Sequence, residues 1–136
     1  YGDHRDLHLS IRRQRQMCIR DSYLYSGDFN NAVKHLKDFS TNATQVQTSA
    51  YLLLGDAYSE LKKNDDALDY YKKAVAVNSK DEFMTPEALF KAGLFADATG
   101  KSKEAIEFFK KIKEEFPKNG HATEVDKYLA RLGAID

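Results

Sequence analysis

Residues 51–74 read YLLLGDAYSELKKNDDALDYYKKA, and residues 89–112 read LFKAGLFADATGKSKEAIEFFKKI. The two stretches place small and large residues at matching positions. In each one an alanine follows the central glycine, Gly55 or Gly93, by twelve residues. Apolar residues recur three, four and seven positions apart, which places them on one face of a helix. The pattern therefore predicts a repeated unit of two amphipathic helices.

An earlier, incomplete copy of the unit contains Ala32, Leu36 and Phe39, at the spacings found in the second half of the other two copies. Corresponding alanines lie 35 residues apart between the first and second copies and 38 apart between the second and third. The extra residues fall in 78–85, where we expect a longer loop. One such unit cannot bury its apolar stripe alone, so the units are expected to stack in a row.

These residues resemble the tetratricopeptide repeat, with Leu54, Gly55 and Tyr58 carrying the clearest match. Tyr51 stands where the family has tryptophan, and Lys62 replaces its turn glycine. The resemblance implies an all-α fold, a right-handed superhelix of antiparallel helix pairs with about two and a half repeats plus a C-terminal capping helix. The units would span about residues 23–41, 48–81 and 86–119, and the capping helix residues 121–132.

The first 22 residues differ from the rest in their charged residues. They hold five of the six arginines, whereas all fifteen lysines lie at Lys34 or later. The run MCIRDS at 17–22 resembles a translated sequencing adapter. We therefore expect residues 1–22 to be a non-native or disordered segment and residues 23–136 to be the repeat domain. A genuine basic arm is the alternative, and a native signal or anchor would be missing in the first case.

Composition excludes several classes of function. The 136 residues carry 21 basic and 21 acidic side chains, so no net charge draws the chain to nucleic acid. The longest apolar run, 50–54, is far shorter than a membrane span, so we expect no direct membrane insertion by this sequence. The single cysteine, Cys18, cannot form an internal disulfide.

No motif predicts an enzyme, a metal site or a cofactor. The run 100–102, Gly-Lys-Ser, resembles the end of a phosphate-binding loop, but the glycine required five residues earlier is absent. His35 and His121 have no second histidine or cysteine at metal-ligand spacing. Paired carboxylates such as Asp65 and Asp66 are typical of solvated helix ends. The sequence therefore favours a protein without catalytic activity.

In the tetratricopeptide family the first helix of each unit lines a concave groove that contacts a segment of another protein. Transferred by register, the groove positions are Ser49, Leu52, Asp56, Ser59, Glu87, Phe90, Leu94 and Asp97, extended by Leu24 and Tyr25. Family members that grip C-terminal carboxylates have cationic residues there, whereas only Lys91 has suitable charge here. We therefore expect an apolar or basic peptide partner. The alternative is that Leu52, Phe90 and Leu94 pack against neighbouring helices.

The resemblance implies a noncatalytic scaffold for a protein or peptide partner. The short array and its terminal helix are similar to envelope-associated bacterial tetratricopeptide proteins, some of them tethered beside the secretion translocon. A role accessory to an envelope or secretion complex, at the bacterial cell envelope rather than in the cytoplasm, is the corresponding expectation. The alternative is a structural subunit that self-associates, because the truncated first unit would expose Ala32, Leu36 and Phe39.

Overall fold

The computed structural model describes residues 27–134. These residues form six α-helices and no strand, which confirms the predicted all-α class. The helices are α1 (Phe29–Lys37), α2 (Thr44–Glu60), α3 (Asn64–Ala76), α4 (Met84–Ala98), α5 (Ser102–Glu115) and α6 (Gly120–Arg131). Residues 1–22, whose foreign origin was predicted, lie outside the described part of the chain.

The helices pack in the order expected of stacked hairpins. α2 pairs with α3 and α4 with α5, while α1 packs on α2 and α6 packs on both α4 and α5. Contacts of α4 with α2 and α3 join the two complete units. The result is a solenoid of antiparallel helix pairs with one continuous apolar core.

The two glycines of the repeat make room for an aromatic ring of the same unit. A methyl group at Gly55 would lie 2.6 Å from Cε1 of Tyr71, and one at Gly93 would lie 2.5 Å from Cε1 of Phe109. The Tyr71 and Phe109 side chains are almost wholly buried. The close contact at each glycine is therefore made by a ring of the second helix and not by its backbone.

Each of these rings also contacts the next unit. The Tyr71 ring lies 5.3 Å from the Phe95 ring of α4, and the Phe109 ring lies 5.3 Å from the Tyr128 ring of α6, measured between centroids. Aromatic pairs at this distance stabilise the packing by more than the burial of their surface area alone. In each unit one ring therefore packs between the two helices of its own pair and also against a helix that follows the pair.

The first helix is packed rather than open. Ala32 and Leu36 are almost fully buried, and Phe39 is 7% exposed. The expectation that the truncated first unit exposes these three residues is therefore wrong. This removes the basis on which self-association was expected, and self-association itself stays a prediction.

The start of α4 differs from the sequence prediction. The third unit was expected to begin at about residue 86, but its first helix begins at Met84. The Thr85 hydroxyl donates a hydrogen bond of 2.5 Å to the carbonyl of Asn78. Asp81 Oδ1 accepts from the backbone N–H groups of Phe83 and Met84, both at 2.8 Å. These two bonds lower the pKa of Asp81, because they favour the charged carboxylate.

Lys62 occupies the turn position where the family has glycine, and its backbone φ is +62°. The N–H of Lys63 closes this turn on the carbonyl of Tyr58, at 2.9 Å. Gly100 fills the equivalent turn in the next unit, with φ of +82°. There the N–H of Lys101 bonds in the same way to the carbonyl of Ala96, at 2.8 Å. A left-handed conformation costs a residue with a side chain about 1–2 kcal/mol. The turn at Lys62 is therefore strained where that at Gly100 is not.

We expect Lys62→Gly to raise the free energy of unfolding by about 1 kcal/mol, because glycine adopts this φ without steric cost. The matched control is Gly100→Ala, which should lower that free energy by a similar amount. Urea unfolding followed by circular dichroism measures both changes. A Lys62→Gly variant less stable than the parent would contradict the strain assigned to this turn.

Candidate functional site

The predicted groove residues lie along α2 and α4, which are neighbours in the solenoid. Six of their side chains are half-buried at the surface: Ser49, Asp56, Ser59, Glu87, Leu94 and Asp97. Leu24 and Tyr25 lie outside the described residues. These six side chains are therefore partly accessible on α2 and α4, and their contact with a partner stays a prediction.

Two predicted groove residues belong to the core. Leu52 is 5% exposed and Phe90 is 8% exposed, and both lie in the main apolar cluster. The Phe90 ring stacks on the His121 ring at 4.3 Å between centroids and meets the edge of Tyr128 at 5.8 Å. The expectation of open side chains at these two positions is corrected. Removing the Phe90 ring would cost about 3–5 kcal/mol of stability, so it cannot report on a groove alone.

The acidic side chains of α4 are paired with α6. Glu87 Oε2 lies 2.8 Å from His121 Nε2, and Asp97 bonds with the guanidinium of Arg131. His121 Nδ1 also lies 3.3 Å from Glu124 Oε2. The predicted capping helix, α6, therefore contacts the acidic residues of α4 that the register had assigned to a partner.

Asp56 joins three helices at the centre of the predicted groove. One carboxylate oxygen accepts a 2.5 Å hydrogen bond from the hydroxyl of Tyr71 on α3, and the other lies 3.3 Å from Nζ of Lys91 on α4. Lys91 is the single cation expected at the groove, and Asp56 already neutralises it. In the described part of the groove this arrangement leaves no unpaired cation to bind a carboxylate.

Burial, followed by the hydrogen bond to Asp56, raises the pKa of the Tyr71 hydroxyl far above its usual value near 10. Both causes favour the neutral phenol, which donates its proton to the carboxylate. The bond between Tyr71 and Asp56 is therefore a structural link between α2 and α3 across the neutral pH range.

The sequence did not reveal ion pairs between units. Nζ of Lys72 lies 3.2 Å from Glu104, Nζ of Lys101 lies 3.2 Å from Asp65, and Nζ of Lys113 lies 2.7 Å from Asp126. The partners of several such pairs, Asp56 with Lys91 among them, are separated by about one repeat length. Opposite charges about one repeat length apart were therefore the signal in the sequence that could have indicated these ion pairs. The pairs are partly exposed, and each is worth about 0.2–1 kcal/mol.

Residues 27–134 contain no metal-binding cluster and no membrane-spanning helix. In this range no group of three histidine, cysteine or acidic side chains is placed to hold a metal ion. The run 100–102 forms the turn into α5, with Lys101 as the N-cap and Ser102 as the first helical residue. None of the helices described here combines the length and the apolar character that a membrane crossing requires.

We expect Tyr71→Phe to lower the free energy of unfolding by about 1–2 kcal/mol at pH 7, because it removes a buried bond to a charged acceptor. Above pH 10 the unfolded phenol ionises while the folded one stays neutral. The stabilising contribution of the hydroxyl therefore declines by about 1.4 kcal/mol per pH unit. The two proteins should approach equal stability near pH 11 in denaturant titrations. A constant difference from pH 7 to pH 11 would argue against the bond.

Solved structures share this fold. The first tetratricopeptide domain of Spaghetti (RPAP3), bound to the HSP90 peptide SRMEEVD, is 21% identical, with 90% of this chain and 93% of that chain covered at a TM-score of 0.65. The corresponding domain of human RPAP3 is 22% identical, with coverage of 88% and 90% and a TM-score of 0.63. MamA is 25% identical, with coverage of 88% and 70% and a TM-score of 0.61.

A search of the curated proteins finds no match to this sequence. The sequence matches the tetratricopeptide repeat family over residues 21–82 and 52–120, which together span most of the chain. The match covers both complete helix pairs and the incomplete first unit. The glycine and ring placements described above explain why the pattern recurs. The chain belongs to the tetratricopeptide repeat family.

Proposed function

We propose that the chain is a noncatalytic scaffold that binds a peptide or protein segment in the concave groove along α2 and α4. The observation that carries this proposal is the half-buried face of α2, where Ser49 and Ser59 are small. Among residues 27–134 neither side chain forms a hydrogen bond or ion pair with another helix. Small side chains that bond to no other helix leave space for a second chain. The shared fold with an RPAP3 domain solved with a peptide bound supports the same function.

The partner we propose is apolar or basic. The peptide in the RPAP3 structure, SRMEEVD, is acidic towards its end. A carboxylate of that kind needs free cations, and Lys91 is engaged by Asp56 in this chain. Leu94 adds apolar surface to the groove, and it packs against the core only in part. This combination favours a segment with apolar side chains over an acidic C-terminus. For the same reason the described part of the groove has no unpaired cation for the phosphates of a nucleic acid.

The finer proposal is a role accessory to a bacterial envelope or secretion complex, with the chain at the cell envelope. It is supported by the similarity of the short array and of the terminal helix, 120–131, to envelope-associated tetratricopeptide proteins. Fractionation of the source cells with an antibody to the chain tests the location. Recovery with the envelope is expected, and recovery only in the cytoplasm would defeat this part of the proposal.

The alternative proposal is a self-associating subunit. The burial of Ala32 and Leu36 removes the exposed surface on which that alternative rested. Light scattering of the 136-residue chain at increasing concentration separates the two. A constant monomer mass supports the scaffold, and a mass that rises with concentration supports the structural subunit.

The groove is tested by substitutions that fill it. We expect Ser49→Arg and Ser59→Arg to reduce partner capture at least tenfold, because each places a large cation where the partner would lie. Capture from lysate of the source cells identifies the partner by mass spectrometry, and titration with the purified partner then measures the affinity.

The matched control is Asp69→Arg, an equally large change at an exposed position of α3. It should leave the affinity within about twofold of the parent. Equal loss of affinity in all three variants, or no loss in either serine variant, would overturn the groove assignment. Circular dichroism confirms that each variant keeps its helix content.

A further inference from the structure

A cleft of about 340 Å³ lies where the long loop before α4 meets the turn between α5 and α6. Glu82 and Phe83 line it from the loop, and residues 115–119 line it from the turn. Its size is at the lower end of ligand pockets, which suits one or two side chains. We refer to it as the Phe83 cleft. It lies at the edge where α4 and α6 begin, and the groove proposal does not depend on it.

Phe83 is the one large apolar side chain that is highly exposed among the described residues, at 77%. It comes from the loop that is longer than its counterpart in the preceding unit. An exposed aromatic ring beside a cleft differs from a scattered apolar surface residue, because a bound side chain can bury the ring and fill the cleft together.

The loop holds Phe83 in place. Its backbone N–H donates to Asp81 Oδ1 at 2.8 Å, and the side-chain amide of Asn119 donates to the carbonyl of Glu82 at 3.1 Å. The second bond ties the loop directly to the turn on the other side of the cleft. A surface held in this way loses little conformational entropy when a partner binds.

The charge at the cleft is acidic on balance. Glu82 and Glu115 are both exposed, and Lys118 is the single cation among the lining residues. None of these three side chains forms an ion pair within residues 27–134, in contrast to the acidic residues of α4. Two free carboxylates beside an apolar ring attract a cationic partner and disfavour an acidic one.

We propose that the Phe83 cleft is a second docking site, which takes an apolar side chain flanked by basic residues in a short peptide segment. The apolar side chain fills the space between Phe83 and the turn. The flanking cations contact Glu82 and Glu115.

The probe is a dye-labelled octapeptide with one leucine between two arginines, titrated into the 136-residue chain and followed by fluorescence anisotropy. Phe83→Ser should weaken binding at least tenfold, and it should not unfold the chain because the side chain is exposed. The double variant Glu82→Gln/Glu115→Gln should weaken binding about fivefold to tenfold. It should also reduce the dependence of binding on salt. A counterpart peptide with glutamates in place of the arginines should bind at least tenfold more weakly than the basic one.

The matched control is Asp69→Arg, at an exposed position of α3 outside both sites, and it should leave binding of the basic peptide within about twofold of the parent. Loss of binding in the groove variant Ser59→Arg but not in Phe83→Ser would overturn the cleft while leaving the groove intact. Equal binding of the two peptides, or no binding of the basic one, would also overturn it. Concentration-dependent dimers that disappear in Phe83→Ser would show that a second copy of the chain occupies the cleft, and would reject the peptide proposal.

Discussion

The fold depends on an aromatic ring placed against a glycine inside each helix pair. Tyr71 lies over Gly55, and Phe109 lies over Gly93, so that no Cβ can be accommodated at either glycine without displacing a buried ring. Glycine within a helix costs about 1 kcal/mol relative to alanine, and the close packing of the ring offsets that cost. The same rings then contact Phe95 and Tyr128 in the following helices. One steric arrangement therefore determines both the hairpin and the stacking of hairpins.

Polar contacts between units are built on this apolar arrangement. Asp56 ties α2 to Tyr71 and to Lys91, and α6 meets the acidic residues of α4 through His121 and Arg131. These contacts pair the acidic groove residues Asp56, Glu87 and Asp97 with side chains of α4 and α6. A partner would therefore meet the small and apolar side chains that remain on α2 and α4. Within residues 27–134 the two acidic residues of the Phe83 cleft form no ion pair.

The helix pairs were predictable because the glycine and alanine spacing repeats in register. The start of α4 was not, because its N–H groups are capped by Asp81, which lies three residues before Met84 in a loop without a helical period. The groove positions were predicted by register, but the burial of Leu52 and Phe90 was not. Phe90 looks like a binding residue along its own helix, and only the position of α6 shows that the ring is already covered.

A double-mutant cycle on Gly93 and Phe109 tests the ring-on-glycine packing most directly. Gly93→Ala alone should destabilise the chain by about 1–2 kcal/mol, since the added methyl overpacks a buried ring more than the gain in helix propensity compensates. Against a Phe109→Leu background, the smaller side chain should admit the methyl. The same substitution should then be neutral or stabilising, which gives a coupling free energy of at least about 1 kcal/mol in urea unfolding. Additive effects of the two substitutions would contradict the dependence of the fold on this contact.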